Sequence, residues 1–210
     1  MLVSIIAFNE ARMLPMCLAH IPKGTPVLVT DGAYKDFPHE VPHSTDGTLE
    51  IARRWGAEVV ECERAWQDQM QKRTAQLREG VCFLLDADEL LHTDMPELPD
   101  DADVGWVTCV SPLYKRPFLV PRVLRVGKGW HFEGRHHWLY DADGELVTSH
   151  TFAGKKYRHV ILPALIENAR DDREPIRNDE KSTYCRARRQ AEESFADEQS
   201  VHARPQRGKR

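Results

Sequence analysis

Apolar runs broken by polar residues organise the first part of the chain. Residues 2–8 (LVSIIAF) form a continuous apolar run, the pattern of a strand buried on both faces of a parallel sheet. Asn9 and Glu10 close it. Leu14 and Leu18 share one face of a short helix, in which Pro15 fits only the first turn. Residues 27–30 predict a second buried strand, ending at Asp31-Gly32. Residues 35–43, rich in Pro and His, read as a surface insertion. Ser44-Thr45-Asp46-Gly47-Thr48 then opens a helix with Asp46 as its N-cap, Ile51, Ala52 and Trp55 on its inner face and Gly56 at its end. Residues 58–62 predict a third strand. Trp66, Met70, Arg73 and Leu77 recur at the spacing of one helical stripe, and Gly80 stops that helix. Residues 81–85 predict a fourth buried strand, which runs straight into Asp86-Ala87-Asp88-Glu89.

The order βαβαβαβ predicts an α/β fold with a mostly parallel, doubly wound sheet and right-handed crossovers. Ligands of such sheets bind outside the carboxyl ends of the strands. Asn9, Glu10, Asp31, Asp86 and Asp88 all fall at those ends. Beyond residue 100 the pattern changes to shorter strands at 104–111, 120–126, 130–132, 137–140 and 145–148, a short antiparallel extension with a hairpin turn at Asp141-Ala142-Asp143-Gly144. Residues 157–169 and 179–197 read as C-terminal helices. The expected organisation is a single domain over 1–199: a ligand-binding half at 1–100, a completing half at 101–170, a helix at 171–199, and a basic flexible tail at 200–210.

Composition narrows the class. With 41% apolar and 30% charged residues the chain has the balance of a soluble globular protein. A net charge of −4 argues against general affinity for nucleic acid. Residues 181–210 hold eight Lys/Arg against four Asp/Glu, a basic segment interrupted by acids and read as a solvated helix and tail. The five cysteines are odd in number and form no CxxC pair, which predicts reduced thiols. The first apolar run is too short for a signal peptide, and no run has the roughly 20 residues of a membrane span. A cytoplasmic protein without a membrane span is therefore expected.

Asp86-Ala87-Asp88-Glu89 is the strongest chemical signal. Carboxylates leaving a buried strand into a cleft suit Mg²⁺ or Mn²⁺, ions that bridge the phosphates of a nucleoside diphosphate and stabilise it as a leaving group. An acidic strand end, with Glu89 starting a helix, is the plain alternative. Four segments occur in order: residues 3–10 (VSIIAFNE), 29–32 (VTDG), 44–48 (STDGT) and 85–89 (LDADE). Together they resemble the nucleotide-sugar glycosyltransferases of family 2, which have the half-Rossmann GT-A fold.

The resemblance implies a metal-dependent, inverting transfer of a hexosyl group from a nucleoside-diphosphate sugar to an acceptor hydroxyl. The donor is expected to be a UDP-sugar rather than a GDP-sugar, and the acceptor a saccharide, lipid or protein. Ala7, Phe8, Asn9 and Glu10 should lie against the nucleotide. Asp31 should contact its base or ribose, and Arg73 its base and diphosphate. Asp86 resembles the residue that contacts ribose or metal-bound water, and Asp88 the metal ligand. Gly134-Arg135-His136-His137-Trp138 resembles a His-containing segment of a subgroup, with His137, or alternatively His150, as a further metal ligand. Arg122 and Arg125 match a basic segment, with Arg125 the expected diphosphate contact. Candidate bases are Glu89, Glu133 and Asp141, with Glu89 favoured because it follows the metal motif. Two departures stand out: residues 33–43 are inserted before the STDGT segment, and Trp138 replaces an expected Glu. They keep a second reading open, a non-catalytic nucleotide-sugar-binding relative or a nucleotidyltransferase on a similar sheet.

Overall fold

The computed structural model describes residues 1–35, 40–112, 116–127, 129–134, 138–148 and 156–169. The chain divides into two compact units, Met1–Arg170 and Asp171–Arg210, and the second lies outside the described residues. The helix expected at 179–197 and the tail from 200 therefore also lie outside them.

The first half follows the apolar pattern. Strands β1 (Leu2–Ala7), β2 (Val27–Asp31), β3 (Glu58–Val60) and β4 (Gly80–Asp86) alternate with helices α1 (Leu14–Ala19), α2 (Thr48–Trp55) and α3 (Gln69–Ala75). They pair in parallel in the order β3-β2-β1-β4, with Ile6 level with both Thr30 and Asp86. Val3, Ile5, Val29, Phe83 and Leu85 face α1 and α2 through Leu14, Leu18 and Ala52. Cys82 and Leu84 pack in a second cluster, with Met70 and Leu77 from the α3 segment. Helices thus cover both faces, as expected for a doubly wound sheet. Trp55 is a correction: it is one of the exposed large side chains, and Leu49 takes the inner position beside Ala52.

The second half adds β5 (Glu89–Leu91), β6 (Val104–Val110), β7 (Phe118–Val126), β8 (His131–Glu133), β9 (Trp138–Tyr140) and β10 (His159–Asn168). The main sheet has eight strands in the order β3-β2-β1-β4-β7-β6-β10-β5, and β8-β9 form a separate pair. The β4–β7, β6–β7 and β10–β5 pairings are antiparallel, and β6–β10 is parallel. Asp141–Gly144 turns as expected, with the Gly144 N–H donating to the Asp141 carbonyl. Residues 145–148 are held by an isolated bridge, Tyr140 to Leu146, and by the Val147 and Thr148 N–H groups donating to the Leu139 carbonyl.

One expectation and one plain alternative are overturned. Residues 157–169 carry a strand, not a helix. Pro163 removes a backbone donor and bars a helix interior. Leu162, Ala164 and Ile166 are buried on alternate positions while Ile161 is exposed, and the register shifts between Ile161 and Leu165, a bulge where a strand proline is tolerated. Glu89 opens β5 rather than a helix. Only Ala87 and Asp88 separate β4 from β5, yet β7, β6 and β10 lie between them in the sheet. Four flat strand spacings cover about 19 Å. Three residue-to-residue steps along the backbone reach at most about 11 Å. The sheet must therefore curl, and the Asp86–Glu89 segment is the corner where it closes on itself. Among the described residues no helix is long and apolar enough to cross a membrane.

Candidate functional site at the strand ends

The carboxyl ends of β1, β2 and β4 converge, and the sequence supplies each with polar residues. Two loops are tied together above β1 and β2. Asn9, the described non-glycine residue with positive φ (53°), donates its N–H to Ser44 Oγ (2.8 Å) and accepts from the Thr45 N–H (2.9 Å). The Glu10 N–H donates to Thr48 Oγ1 (2.8 Å) and the Ala11 N–H to Asp46 Oδ2 (2.9 Å). Asp46 Oδ1 in turn accepts from the Thr48 N–H and hydroxyl. Asp46 therefore serves the start of α2 as expected, although Gly47 occupies the cap position itself. Ala7 and Glu10 are buried beneath this platform and Phe8 is half-buried at its edge.

Asp31, the expected contact to base or ribose, is engaged with the platform loop. It is fully buried, and its carboxylate accepts from the Ser44 N–H (2.9 Å) and hydroxyl (2.6 Å). The platform loop is thus hung from the end of β2. Gly32 follows with φ +118°, and a Cβ there would meet Cys62 Sγ at 2.0 Å. The inserted segment is stitched on here: Trp66 Nε1–H donates to the Asp31 carbonyl (2.7 Å), and Tyr34 bridges to Trp66.

Helix α3 docks on the sheet through polar side chains. Asp68 caps it by accepting from the Gln71 N–H, so Trp66 lies outside the helix that the apolar stripe predicts. The inner face is Lys72, Arg73 and Gln76, all buried. Gln76 donates to the Ser4 carbonyl (2.8 Å). Lys72 Nζ donates to the carbonyls of Ala7 (2.7 Å) and Gly32 (2.5 Å), bridging the ends of β1 and β2. Burial lowers its pKa to about 8, although Asp31, Cys62 and Asp86 oppose the shift. Sequence reasoning missed Lys72. Its one available signal was adjacency to Arg73 before the acidic strand end.

Arg73 Nη2 pairs with Asp86, 2.7 Å from Oδ1 and 2.9 Å from Oδ2. Asp86 remains about a quarter exposed (25%). Asp88 is buried, and its carbonyl accepts from the Ala169 N–H (2.8 Å), joining the end of β10 to the corner. Glu89 is 2% exposed. One oxygen accepts from the Asp86 N–H (2.9 Å) and the other is paired with Arg122 of β7. Burial raises its pKa to about 7 against the attraction of Arg122. Glu89, the favoured candidate base, thus has both carboxylate oxygens engaged within the corner. Arg125, the expected diphosphate contact, is placed at the other end of β4. It stands opposite Val81 at the start of β4 and donates to the carbonyls of Ala102 and Pro99 (both 3.0 Å), so Arg122 is the strand β7 arginine at the corner.

The remaining candidates separate from this cluster. Asp141 accepts from Lys156 (2.6 Å), Tyr157 (2.5 Å) and the Asp143 and Glu145 N–H groups. Those bonds hold its pKa well below the usual carboxylate range. Glu133 is exposed on β8 beside His131. His137 and His150 lie outside the described residues. Among the described residues, no three His, Cys, Asp or Glu side chains form a group able to hold a metal. Mg²⁺-type ions need no such cage, taking one or two carboxylates with water and substrate phosphates. Asp88 with the part-exposed Asp86 matches that donor set.

No protein-family model and no curated protein matches the chain. Among solved structures, S. aureus TarS 1-349 aligns with a TM-score of 0.41 at 15% identity, over 55% of this chain and 37% of that one. S. aureus TarS aligns with a TM-score of 0.40 at 15% identity, over 61% of this chain and 23% of that one. The chain therefore spans well under half the length of either.

Proposed function

We propose that this chain transfers a hexosyl group from a nucleoside-diphosphate sugar, UDP being the expected nucleotide, to an acceptor hydroxyl with inversion. The observation that carries this reading is the junction of the Asp86–Glu89 corner with the β1 and β2 ends in one parallel sheet. Such junctions are where α/β sheets bind nucleotides. The segments Asn9–Ala11 and Ser44–Thr48, zipped by four hydrogen bonds, form the wall for base and ribose. Asp31 shapes that wall through Ser44. Lys72 keeps the β1 and β2 ends at fixed separation.

Asp88 and Asp86 would hold Mn²⁺ or Mg²⁺, which when bound neutralises charge on the departing diphosphate. His137 or His150 would complete the ligand set. Arg73, paired with Asp86, supplies a positive charge beside that region. Glu89 and Arg122 hold the corner's backbone in place beneath the carboxylates.

Mn²⁺-dependent release of free sugar from a nucleotide sugar tests the reading, after a thermal-shift screen of UDP- and GDP-sugars to find the donor. Asp88→Asn should abolish metal-assisted donor binding by calorimetry while leaving the melting temperature within a few degrees. Unchanged binding by this variant removes Asp88 from the metal site. Nucleotide binding without any sugar release or transfer favours the non-catalytic alternative.

A further inference from the structure

Arg73 is held in an incomplete environment. It is 4% exposed and spends one nitrogen, Nη2, on both oxygens of Asp86. Its Nε and Nη1 are buried with no hydrogen-bond partner among the described residues. Buried donors left unpaired are costly, and native sites keep them where something else completes them. Arg122, the other guanidinium of the corner, is committed to Glu89. Arg73 therefore occupies the part-exposed carboxylate of the corner.

The geometry points to Arg73 as a resident counter-cation on Asp86, which a divalent ion must displace and whose freed N–H groups then take the diphosphate. This rests on the reading of Asp86 and Asp88 as the cation-facing carboxylates. A guanidinium and a divalent ion repel strongly at a separation of a few ångströms, so the two compete for Asp86 when no nucleotide is present. A diphosphate changes the balance because it accepts from Arg73 and ligates the ion together. Ion and nucleotide should then bind with positive coupling, each tightening the other by the same factor.

The test measures two affinities that should move in opposite directions. Free Mn²⁺ is titrated by electron paramagnetic resonance against the nucleotide-free full chain, and UDP is titrated calorimetrically at saturating Mn²⁺. Arg73→Met should bind Mn²⁺ about tenfold tighter than wild type, since one adjacent positive charge is gone, and UDP about tenfold weaker, since two buried donors are gone. Arg73→Lys, which keeps the charge, should bind Mn²⁺ as wild type does. Arg73→Gln, a neutral donor to Asp86, is measured alongside in case the methionine variant does not fold. A merely structural role for Arg73 weakens both affinities, and that result overturns the inference. So does an unchanged Mn²⁺ affinity, or no Mn²⁺ binding by any of the proteins. Failure of glycosyl transfer has a different signature: no sugar is released from any nucleotide sugar while the two opposed binding shifts persist.

Discussion

Removing Lys72 should produce a stability loss that grows with pH. In the fold its ammonium is 2% exposed, and burial lowers its pKa to about 8 from the ordinary 10.5. Between those values the unfolded chain binds the proton and the folded chain does not. Stability therefore rises with pH across the window, because the unfolded state holds more protons. The gap corresponds to about 3 kcal/mol over the whole range, or about 1.4 kcal/mol per pH unit where the difference is complete. The neutral amine still has two hydrogens for the Ala7 and Gly32 carbonyls, so deprotonation sheds the burial cost without shedding the bonds. Lys72→Met lacks both the titration and the bonds. Near pH 7 two effects oppose each other: two unpaired carbonyls cost about 1–3 kcal/mol each, and the relief of a buried charge offsets much of that. Above pH 8 only the wild type gains. Urea denaturation of both proteins from pH 7 to 10 reads the difference, in which lysines and tyrosines common to both cancel. A gap that widens by about 2–3 kcal/mol is expected. A constant or shrinking gap refutes the reasoning, and means that Asp31, Asp86 and Cys62 keep Lys72 charged throughout.

Substitutions elsewhere around the strand ends give separate readouts. Gly32→Ala should cost about 2–4 kcal/mol, from overpacking against Cys62 and the left-handed backbone. Adding Cys62→Ala should return only the packing part, read by thermal or urea unfolding. Glu89→Ala should cost about 3–5 kcal/mol, because it leaves Arg122 buried without its partner. A loss below about 1 kcal/mol in urea would mean that Glu89 does not brace the corner. Arg125→Ala should leave UDP affinity unchanged by calorimetry, since that arginine serves the opposite end of β4; a clear loss of affinity would return it to the donor site.

The elements of the first half were legible because each depends on a local regularity. Buried parallel strands must be apolar along their whole length, so 2–8, 27–30 and 81–85 announce themselves. The same logic marks the polar residues that end them as the cleft. Pro163 stood in the sequence as a sign against a helix at 157–169; the bulge that accommodates it exists only once β6 lies alongside. The stripe Met70, Arg73 and Leu77 does face inward, but periodicity, which selects apolar residues, left out Lys72 and Gln76, which reach carbonyls on strands far away in sequence. Asp31 with Ser44, Glu89 with Arg122, and Arg125 with Pro99 and Ala102 are likewise pairings between distant segments. A charged residue advertises its chemistry in the sequence, but whether that charge meets solvent, substrate or an opposite charge depends on which strands the curl of the sheet brings together. That curl follows from a two-residue link between strands that the pairing order sets four places apart.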